Sequence, residues 1–121
     1  MSIDYSDMAF PKPARKKRRK IHKTSILKTQ KGVCFLCANL YNNYRQQYTE
    51  EHHIMYGKGQ REISEAEGLK VYLCRYHHRE GPEAVHNNEN IRRLLCRAAQ
   101  KEYEKTHTHK EWMERFENNY L

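Results

Sequence analysis

Apolar positions are sparse along this chain and form clear periodic patterns mainly in its second half. Residues 69–73 (Leu-Lys-Val-Tyr-Leu) alternate between apolar and polar side chains and are rich in β-forming residues, which predicts a strand. A preceding strand is predicted over 48–54. Between the two, Gly57 and Gly59 predict a loop that continues through Ser64. We therefore expect two strands joined by a loop.

Helical patterns follow the second strand. A short helix is predicted to begin at Arg75, and a longer one is predicted over 91–105 with Asn90 as its N-cap, because apolar residues there recur every three or four positions. Thr108 and Glu111 have the spacing of a capping box, which predicts a last short helix. The expected fold class is α+β, with two strands and a helix at its centre and a helical extension at the C-terminal end.

Positive charge is concentrated at the N-terminal end. The 121 residues carry a net charge of +8, and residues 1–31, with ten Lys or Arg and two Asp, account for all of it. We predict a flexible, disordered basic arm over 1–31 and a single domain over 32–121. The natural partner of such an arm is a polyanion, and a nucleic acid is the predicted one; the alternatives are a solubilising tail or, in a eukaryote, a nuclear-localisation signal. The candidate nucleic-acid-binding residues of the arm are Lys16, Lys17, Arg18, Arg19 and Lys20.

The composition predicts a small domain that needs additional stabilisation. Only 37% of the residues are hydrophobic, so the core must be thin, and a structural metal is a common remedy. No run of 18 apolar residues occurs, so we expect no membrane association. The N-terminus lacks the apolar segment of a signal peptide. We therefore expect a cytoplasmic protein with reduced thiols rather than a secreted disulfide framework.

Cysteine spacing predicts a structural zinc site. Cys34-x-x-Cys37 places two thiolates on one turn, and Cys74-x-x-His77 repeats the spacing after the second strand. Together they supply a Cys₃His set, which binds zinc tetrahedrally. A redox motif has the same Cys-x-x-Cys spacing, but the strand-then-helix setting of a thioredoxin is not evident here. Cys96 is the alternative fourth ligand, although a cysteine beside the apolar face of a helix is ordinarily a core residue.

Histidines accompany both predicted strands. Glu51-His52-His53-Ile54 ends the first strand, His78 directly follows the predicted zinc ligand His77, and Ala84-Val85-His86-x-Asn88 comes shortly afterwards. With the cysteine motifs, this order over residues 32–105 resembles the HNH endonucleases of the His-Me finger (ββα-metal) superfamily, in particular small HNH proteins of phages and prophages. The resemblance implies a zinc-stabilised ββα-metal core and metal-dependent hydrolysis of DNA phosphodiester bonds.

The resemblance also implies a role for individual residues. His52 corresponds to a ligand of the catalytic metal, His53 to the general base that activates water, and His78 to a second metal ligand. His86 corresponds loosely to a further metal ligand. The catalytic ion is left open among Mg²⁺, Mn²⁺, Ni²⁺ and Zn²⁺. The implied partners are DNA and, in a phage, other DNA-processing proteins.

These residue types suit the chemistry. Phosphodiester hydrolysis needs a base that takes a proton from water and a cation that stabilises the developing charge, and an imidazole with a pKa near ~6.5 is such a base. Neighbouring strand residues point to opposite faces, so His52 and His53 can address metal and water together only if the strand bends there. Arg61, between the strands, is a candidate contact of the scissile phosphate. The alternative is that the histidines are extra zinc ligands or surface residues.

One position departs from the HNH pattern. The asparagine that precedes the second strand in that family and orients the base should fall near Glu67-Gly68-Leu69, where the chain has none. Asn87, Asn88 or Asn90 can substitute, or a backbone carbonyl can hold His53. A catalytically silent, zinc-stapled DNA-binding module is therefore the alternative function. A basic adaptor that binds an RNA or protein partner is a third hypothesis.

Overall fold

A computed structural model describes residues 22–55, 57 and 59–121 of the chain, so the arm residues Lys16–Lys20 lie outside the described part. Within it, no helix combines the length and the apolar content that a membrane span requires. The architecture is a small mixed α/β fold with a two-stranded sheet, which confirms the coarse prediction. Its elements are α1 (Phe35–Tyr41), β1 (Glu50–His53), α2 (Gln60–Glu67), β2 (Lys70–Leu73), one π-helical turn (Tyr76–Glu80), α3 (Glu89–Tyr103) and α4 (His109–Phe116).

The two strands form an antiparallel pair with a regular register. Glu50 lies opposite Leu73, and His53 lies opposite Lys70. Successive side chains of such a strand point to opposite faces. Glu50 and His52 therefore share one face of β1, whereas Glu51 and His53 share the other. The bend that would bring both histidines to one face does not occur within this pairing.

Residues 60–67 form α2, where the sequence predicted a loop as far as Ser64. The helix ends at Gly68, whose φ of 75° is left-handed and whose N–H donates to the carbonyl of Ser64. Ser64 is fully buried; its hydroxyl donates to the carbonyl of Met55 at 2.7 Å and accepts the Met55 N–H at 3.1 Å. The loop prediction was wrong because a buried serine, rather than an apolar stripe, fixes this helix.

The other helices begin at side-chain caps. Cys34 is the N-cap of α1, and its sulfur accepts the N–H of Cys37, so the helix starts inside the Cys-x-x-Cys motif. Asn88, rather than the predicted Asn90, caps α3: its side-chain oxygen accepts the N–H groups of Asn90 and Ile91. The difference arises because helix signals locate a terminus only to within a few residues. The predicted capping box at the start of α4, Thr108 with Glu111, is confirmed.

The last ten residues of the predicted arm pack against the domain. The N–H of Ile26 donates to the carbonyl of Gly68 at 2.9 Å, and Leu27 is buried in the core. The approach is close: a Cβ at position 68 would lie 2.5 Å from the carbonyl oxygen of Thr24. Residues 22–31 therefore belong to the packed domain rather than to a separate arm.

One hydrophobic core underlies the sheet and the C-terminal helices. The rings of Trp112 and Phe116 have centroids 4.2 Å apart and meet Tyr103 of α3, which fastens α4 to α3. Burial of each large apolar side chain stabilises the fold by about 1.5–3 kcal/mol. The largest apolar side chains with no exposed surface, apart from these rings, are Leu36, Ile54, Leu69, Leu73 and Leu95.

Candidate metal centres

A buried cluster of three cysteines and one histidine forms the first candidate metal centre. Its members are Cys34, Cys37, Cys74 and His77, the predicted Cys₃His set. The sulfurs of Cys37 and Cys74 are 3.8 Å apart, and Nδ1 of His77 lies between 3.3 and 3.6 Å from the three sulfurs. Tetrahedral zinc with bonds of about 2.3 Å to sulfur and about 2.1 Å to nitrogen separates its ligand atoms by about 3.8 and 3.6 Å. The cluster therefore fits a structural zinc ion.

The local fold and the charge balance of this cluster both favour a cation. Two ligands lie at the start of α1, Cys74 directly follows β2, and His77 lies in the π-helical turn. Burial, together with the neighbouring Cys34 and Cys74, raises the pKa of the Cys37 thiol to about 12. Several thiolates cannot share a pocket of low polarity unless a cation compensates their charge. Zinc binding would therefore release protons from these thiols.

The remaining nitrogen of His77 faces a carboxylate. Nε2 lies 3.8 Å from Oε1 of Glu83, an electrostatic contact that is longer than a hydrogen bond. The same carboxylate oxygen accepts the hydroxyl of Tyr41. A carboxylate behind a ligating histidine orients its ring. Cys96, the alternative fourth ligand, is buried on α3 with its sulfur 3.6 Å from the guanidinium of Arg92 and is not part of this cluster.

A second cluster is formed by His52, His78 and His86, the residues that the HNH resemblance assigns to a catalytic metal. One ring nitrogen from each lies within 4.8 Å of the others, and the Nε2 atoms of His78 and His86 are 3.2 Å apart. Two nitrogens bound to one metal at about 2.1 Å are separated by about 3.0 Å in octahedral and about 3.4 Å in tetrahedral geometry. The convergence of three imidazoles thus fits a divalent metal.

The electrostatics of this cluster favour the neutral form of His52 and of His86. Burial, with smaller contributions from the charges of nearby histidines, lowers the pKa of His52 to about 3. Burial also lowers the pKa of His86. Neutral imidazole is the form that binds metal. The positive charge of the exposed Arg79 also lowers the pKa of His52 and of His86. The guanidinium of Arg79 therefore lies near the cluster.

Glu50 fixes the orientation of His78. Nδ1 of His78 donates to Oε1 of Glu50 at 2.6 Å, so Nε2 keeps its lone pair for the cluster. This hydrogen bond is the main reason that the pKa of Glu50 is lowered. The other oxygen of Glu50 accepts the hydroxyl of Tyr48 at 3.2 Å. Sequence reasoning missed Glu50, although the alternation of a strand places it on the face of His52, two residues further on.

His53 lies on the other face of β1 and contacts a carboxylate of α2. Its Nε2 is 2.6 Å from Oε1 of Glu65. The second oxygen of Glu65 bonds Nζ of Lys70 at 3.0 Å and Nδ1 of His22 at 2.8 Å. These hydrogen bonds, that of His53 foremost, lower the pKa of Glu65 to about 2. The carboxylate is therefore ionised at neutral pH.

Glu51, His53 and Glu65 also bring ligand atoms within 4.8 Å of one another. A cation already occupies their neighbourhood, because the ammonium of Lys70 lies 3.0 Å from Glu65 and 3.5 Å from Glu51. A metal would have to displace it. We therefore assign this group to an ion-pair network rather than to a metal centre.

A cavity of about 690 Å³ opens beside His53. Arg61 lines it, but from the first turn of α2 rather than from the predicted loop. Arg61 thus faces the side of β1 that carries His53. Two of the three predicted substitutes for the missing asparagine have other roles: the amide of Asn87 donates to two backbone carbonyls, and Asn88 caps α3. In the described part of the chain, the partner of His53 is Glu65.

Comparison with known proteins adds no relative to these observations: no family model, no curated protein and no solved structure matches the chain.

Proposed function

We propose that this chain is a metal-dependent endonuclease of the HNH kind, which hydrolyses DNA phosphodiester bonds. The observation that carries the proposal is the convergence of His52, His78 and His86 beside a separate Cys₃His set. The order of motifs in the sequence predicts the same two groupings. Three imidazoles that can bind a divalent metal, together with an adjacent histidine, supply the cation and the general base that this hydrolysis uses.

Each group then has a defined task. A divalent metal held by the three histidines would stabilise the charge that develops on the phosphate and on the leaving 3′ oxygen. His53 accepts the proton of the attacking water at Nδ1, because its Nε2 is engaged by Glu65. Arg79 near the triad and Arg61 beside His53 supply positive charge for binding the phosphate.

The arrangement restricts where the DNA can lie. His52 and His53 point to opposite faces of β1, but His53 is the last residue of that strand. A phosphate can contact groups from both faces only if it lies across this end of the strand. The proposal therefore requires the scissile phosphate at the C-terminal end of β1.

Charge supports a polyanionic substrate. Residues 1–31 carry the whole net excess of +8. The described chain begins at His22, whose ring contacts Glu65, so the basic residues that precede His22 join the domain on the side of His53. Such an arm increases affinity for the DNA backbone without reading its sequence.

The proposal is tested by incubating supercoiled plasmid with the zinc-containing protein and Mg²⁺, Mn²⁺, Ni²⁺ or Zn²⁺ in turn. The parent should nick or linearise the plasmid with at least one ion. His53→Ala should cut about 10²–10⁴-fold more slowly, because it lacks the positioned base. His109→Ala, at an exposed histidine of α4, is the matched control and should cut like the parent. The proposal would be contradicted if the parent cut the plasmid with none of the four ions, or if His53→Ala cut it at the parent rate.

A catalytically silent, zinc-stapled DNA-binding module is the second candidate. The observation that favours it is that His53 is paired with Glu65 on the face opposite the three histidines. Such a module would bind DNA with a steep salt dependence, and mutation of His53 would leave that binding unchanged. DNA binding without cleavage, by protein that carries metal at the three histidines, would decide for this candidate.

A further inference from the structure

We propose that Glu65 is the positioning residue of His53: its carboxylate holds the imidazole through Nε2–H and so determines which ring nitrogen is presented to the DNA. The inference deepens the proposed function, and its cleavage test depends on that function. It gives Glu65, on the helix between the strands, the task that the HNH pattern gives to an asparagine.

The contact between the two side chains is short and sheltered. Nε2 of His53 and Oε1 of Glu65 are 2.6 Å apart, and the two side chains are only 14% and 19% exposed. A hydrogen bond to an ionised carboxylate is stronger than one between neutral groups. Since the carboxylate can only accept, Nε2 must carry the proton. In the neutral ring, the form that acts as a base, the lone pair is therefore on Nδ1, the nitrogen that can take a proton from water.

Glu65 is itself held in place from two further directions. Its second oxygen bonds Lys70 at 3.0 Å and His22 at 2.8 Å, while His53 uses the first oxygen. Lys70 stands directly opposite His53 in the strand register, so their side chains lie on the same face and reach one carboxylate. The backbone carbonyl of Glu65 also accepts the N–H of Lys23 at 3.2 Å. The carboxylate therefore has little freedom to move away from His53.

The spacing between α2 and the end of β1 does not depend on the side chain of Glu65. Its neighbour Ser64 exchanges two hydrogen bonds with the backbone of Met55, two residues after His53. These bonds fix the helix against the end of the strand. A variant without the Glu65 carboxylate should therefore keep the fold and lose only the orientation of the ring.

The test compares Glu65→Ala and Glu65→Gln with Glu62→Ala, a matched control that removes a carboxylate from the same helix and the same cavity. Cleavage of plasmid is measured with saturating metal, and the ¹⁵N shifts of the His53 ring report its tautomer. Glu65→Ala should lower kcat about 10- to 100-fold, the range seen when a partner that orients a metal-binding histidine is removed. KM should stay near the parent value, and both tautomers of His53 should appear.

Two further results complete the comparison. Glu65→Gln should recover much of the lost kcat, because its amide oxygen still accepts Nε2–H. Glu62→Ala should leave kcat and the tautomer unchanged. If Glu62→Ala lowers kcat as far as Glu65→Ala, the cause is lost negative charge in the cavity, and the inference is overturned.

The tautomer measurement separates this inference from the proposed function. If Glu65→Ala cuts at the parent kcat and keeps a single Nε2–H tautomer, Glu65 does not position His53. If the parent fails to cut DNA with each of the metal ions tested, the nuclease proposal fails. In that case the ¹⁵N spectra still decide whether Glu65 positions His53. A single Nε2–H tautomer in the parent that is lost in Glu65→Ala supports the inference, and an unchanged spectrum overturns it.

Discussion

The two candidate metal centres differ in how many coordination positions of a metal ion their side chains would fill. The Cys₃His set brings four ligand atoms together, all from buried residues, which is the full complement of tetrahedral zinc. The set of His52, His78 and His86 offers three ligands, and His86 is exposed. Three protein ligands leave coordination positions for water or substrate. The comparison favours a structural role for the first set, and the open coordination of the second is what the proposed function requires.

The two centres are also joined through the backbone. His77 and His78 are consecutive residues of the π-helical turn, yet one belongs to each set. A carboxylate of a different segment contacts each ring: Glu83 lies near His77, and Glu50 accepts from His78. We therefore expect formation of the zinc site to position His78, and we expect the buried four-ligand zinc site to persist when the three-histidine site is lost. This asymmetry can be tested.

The largest difference is expected between Cys37→Ser and His86→Ala. Structural zinc sites contribute about 10–16 kcal/mol in small zinc-binding peptides, which is as much as the whole stability of a typical domain, about 5–15 kcal/mol. Cys37→Ser should therefore lack cooperative thermal unfolding and bind less than one zinc per chain. His86→Ala should keep cooperative thermal unfolding and one structural zinc per chain. Circular dichroism with elemental analysis measures them, and a folded, zinc-free Cys37→Ser protein would contradict a structural role.

The next difference separates the proposed base from a ligand. His53→Ala and His52→Ala should each reduce cleavage by about 10²–10⁴-fold. A higher concentration of divalent metal should partly restore only His52→Ala, because that variant lacks a ligand rather than the base. Cleavage rates are measured across a metal titration. Rescue of His53→Ala instead would mean that the two roles are exchanged.

A smaller difference is expected between Glu50→Ala and Glu51→Ala, neighbours on opposite faces of β1. Loss of the carboxylate that accepts from His78 should weaken metal binding at the three histidines about 10- to 100-fold. Glu51→Ala should have little effect, because Glu51 faces Lys70 instead. Titration calorimetry of zinc-loaded protein with Ni²⁺ or Mn²⁺ measures both affinities. Equal losses would show that general surface charge, and not the hydrogen bond, sets the affinity.

The smallest effect concerns the pH dependence of stability. The folded chain lowers the pKa of His52 from its ordinary value of 6.5 to about 3. As the pH falls below 6.5, the unfolded chain binds a proton that the folded chain does not, so stability should fall by up to about 1.4 kcal/mol per pH unit. Urea unfolding at pH 7 and pH 5.5, with zinc bound, should show a weaker dependence in His52→Gln than in the parent. Equal pH dependences would contradict a buried, neutral His52.

The sequence predicted the parts of the molecule that local patterns determine. The Cys-x-x-Cys and Cys-x-x-His spacings predicted the grouping of four zinc ligands, because each pair is set by a single turn. The alternation over 69–73 predicted β2, and Thr108 with Glu111 predicted the start of α4. The grouping of His52, His78 and His86, which followed from the resemblance, is also found, while metal binding by this group stays a prediction.

The rest depends on contacts between distant segments, which local patterns do not reveal. α2 is anchored by Ser64, a polar residue whose burial has no signature in a hydrophobic pattern. The partners of the histidines, Glu50 and Glu65, look like ordinary surface acids in the sequence. The packing of 22–31 was missed because the basic composition of this segment suggested an arm. In each case a hydrogen bond across the fold outweighs the local preference.

The close passage of the N-terminal segment over Gly68 limits how this chain can vary. A side chain there would meet the carbonyl oxygen of Thr24 and would also have to adopt a φ of 75°. Only glycine meets both conditions without displacing 22–31 or the start of β2. Homologues that keep this packing should therefore have glycine two residues before the second strand. That single position, together with the cysteine spacing, can be used to recognise distant relatives whose other residues have diverged.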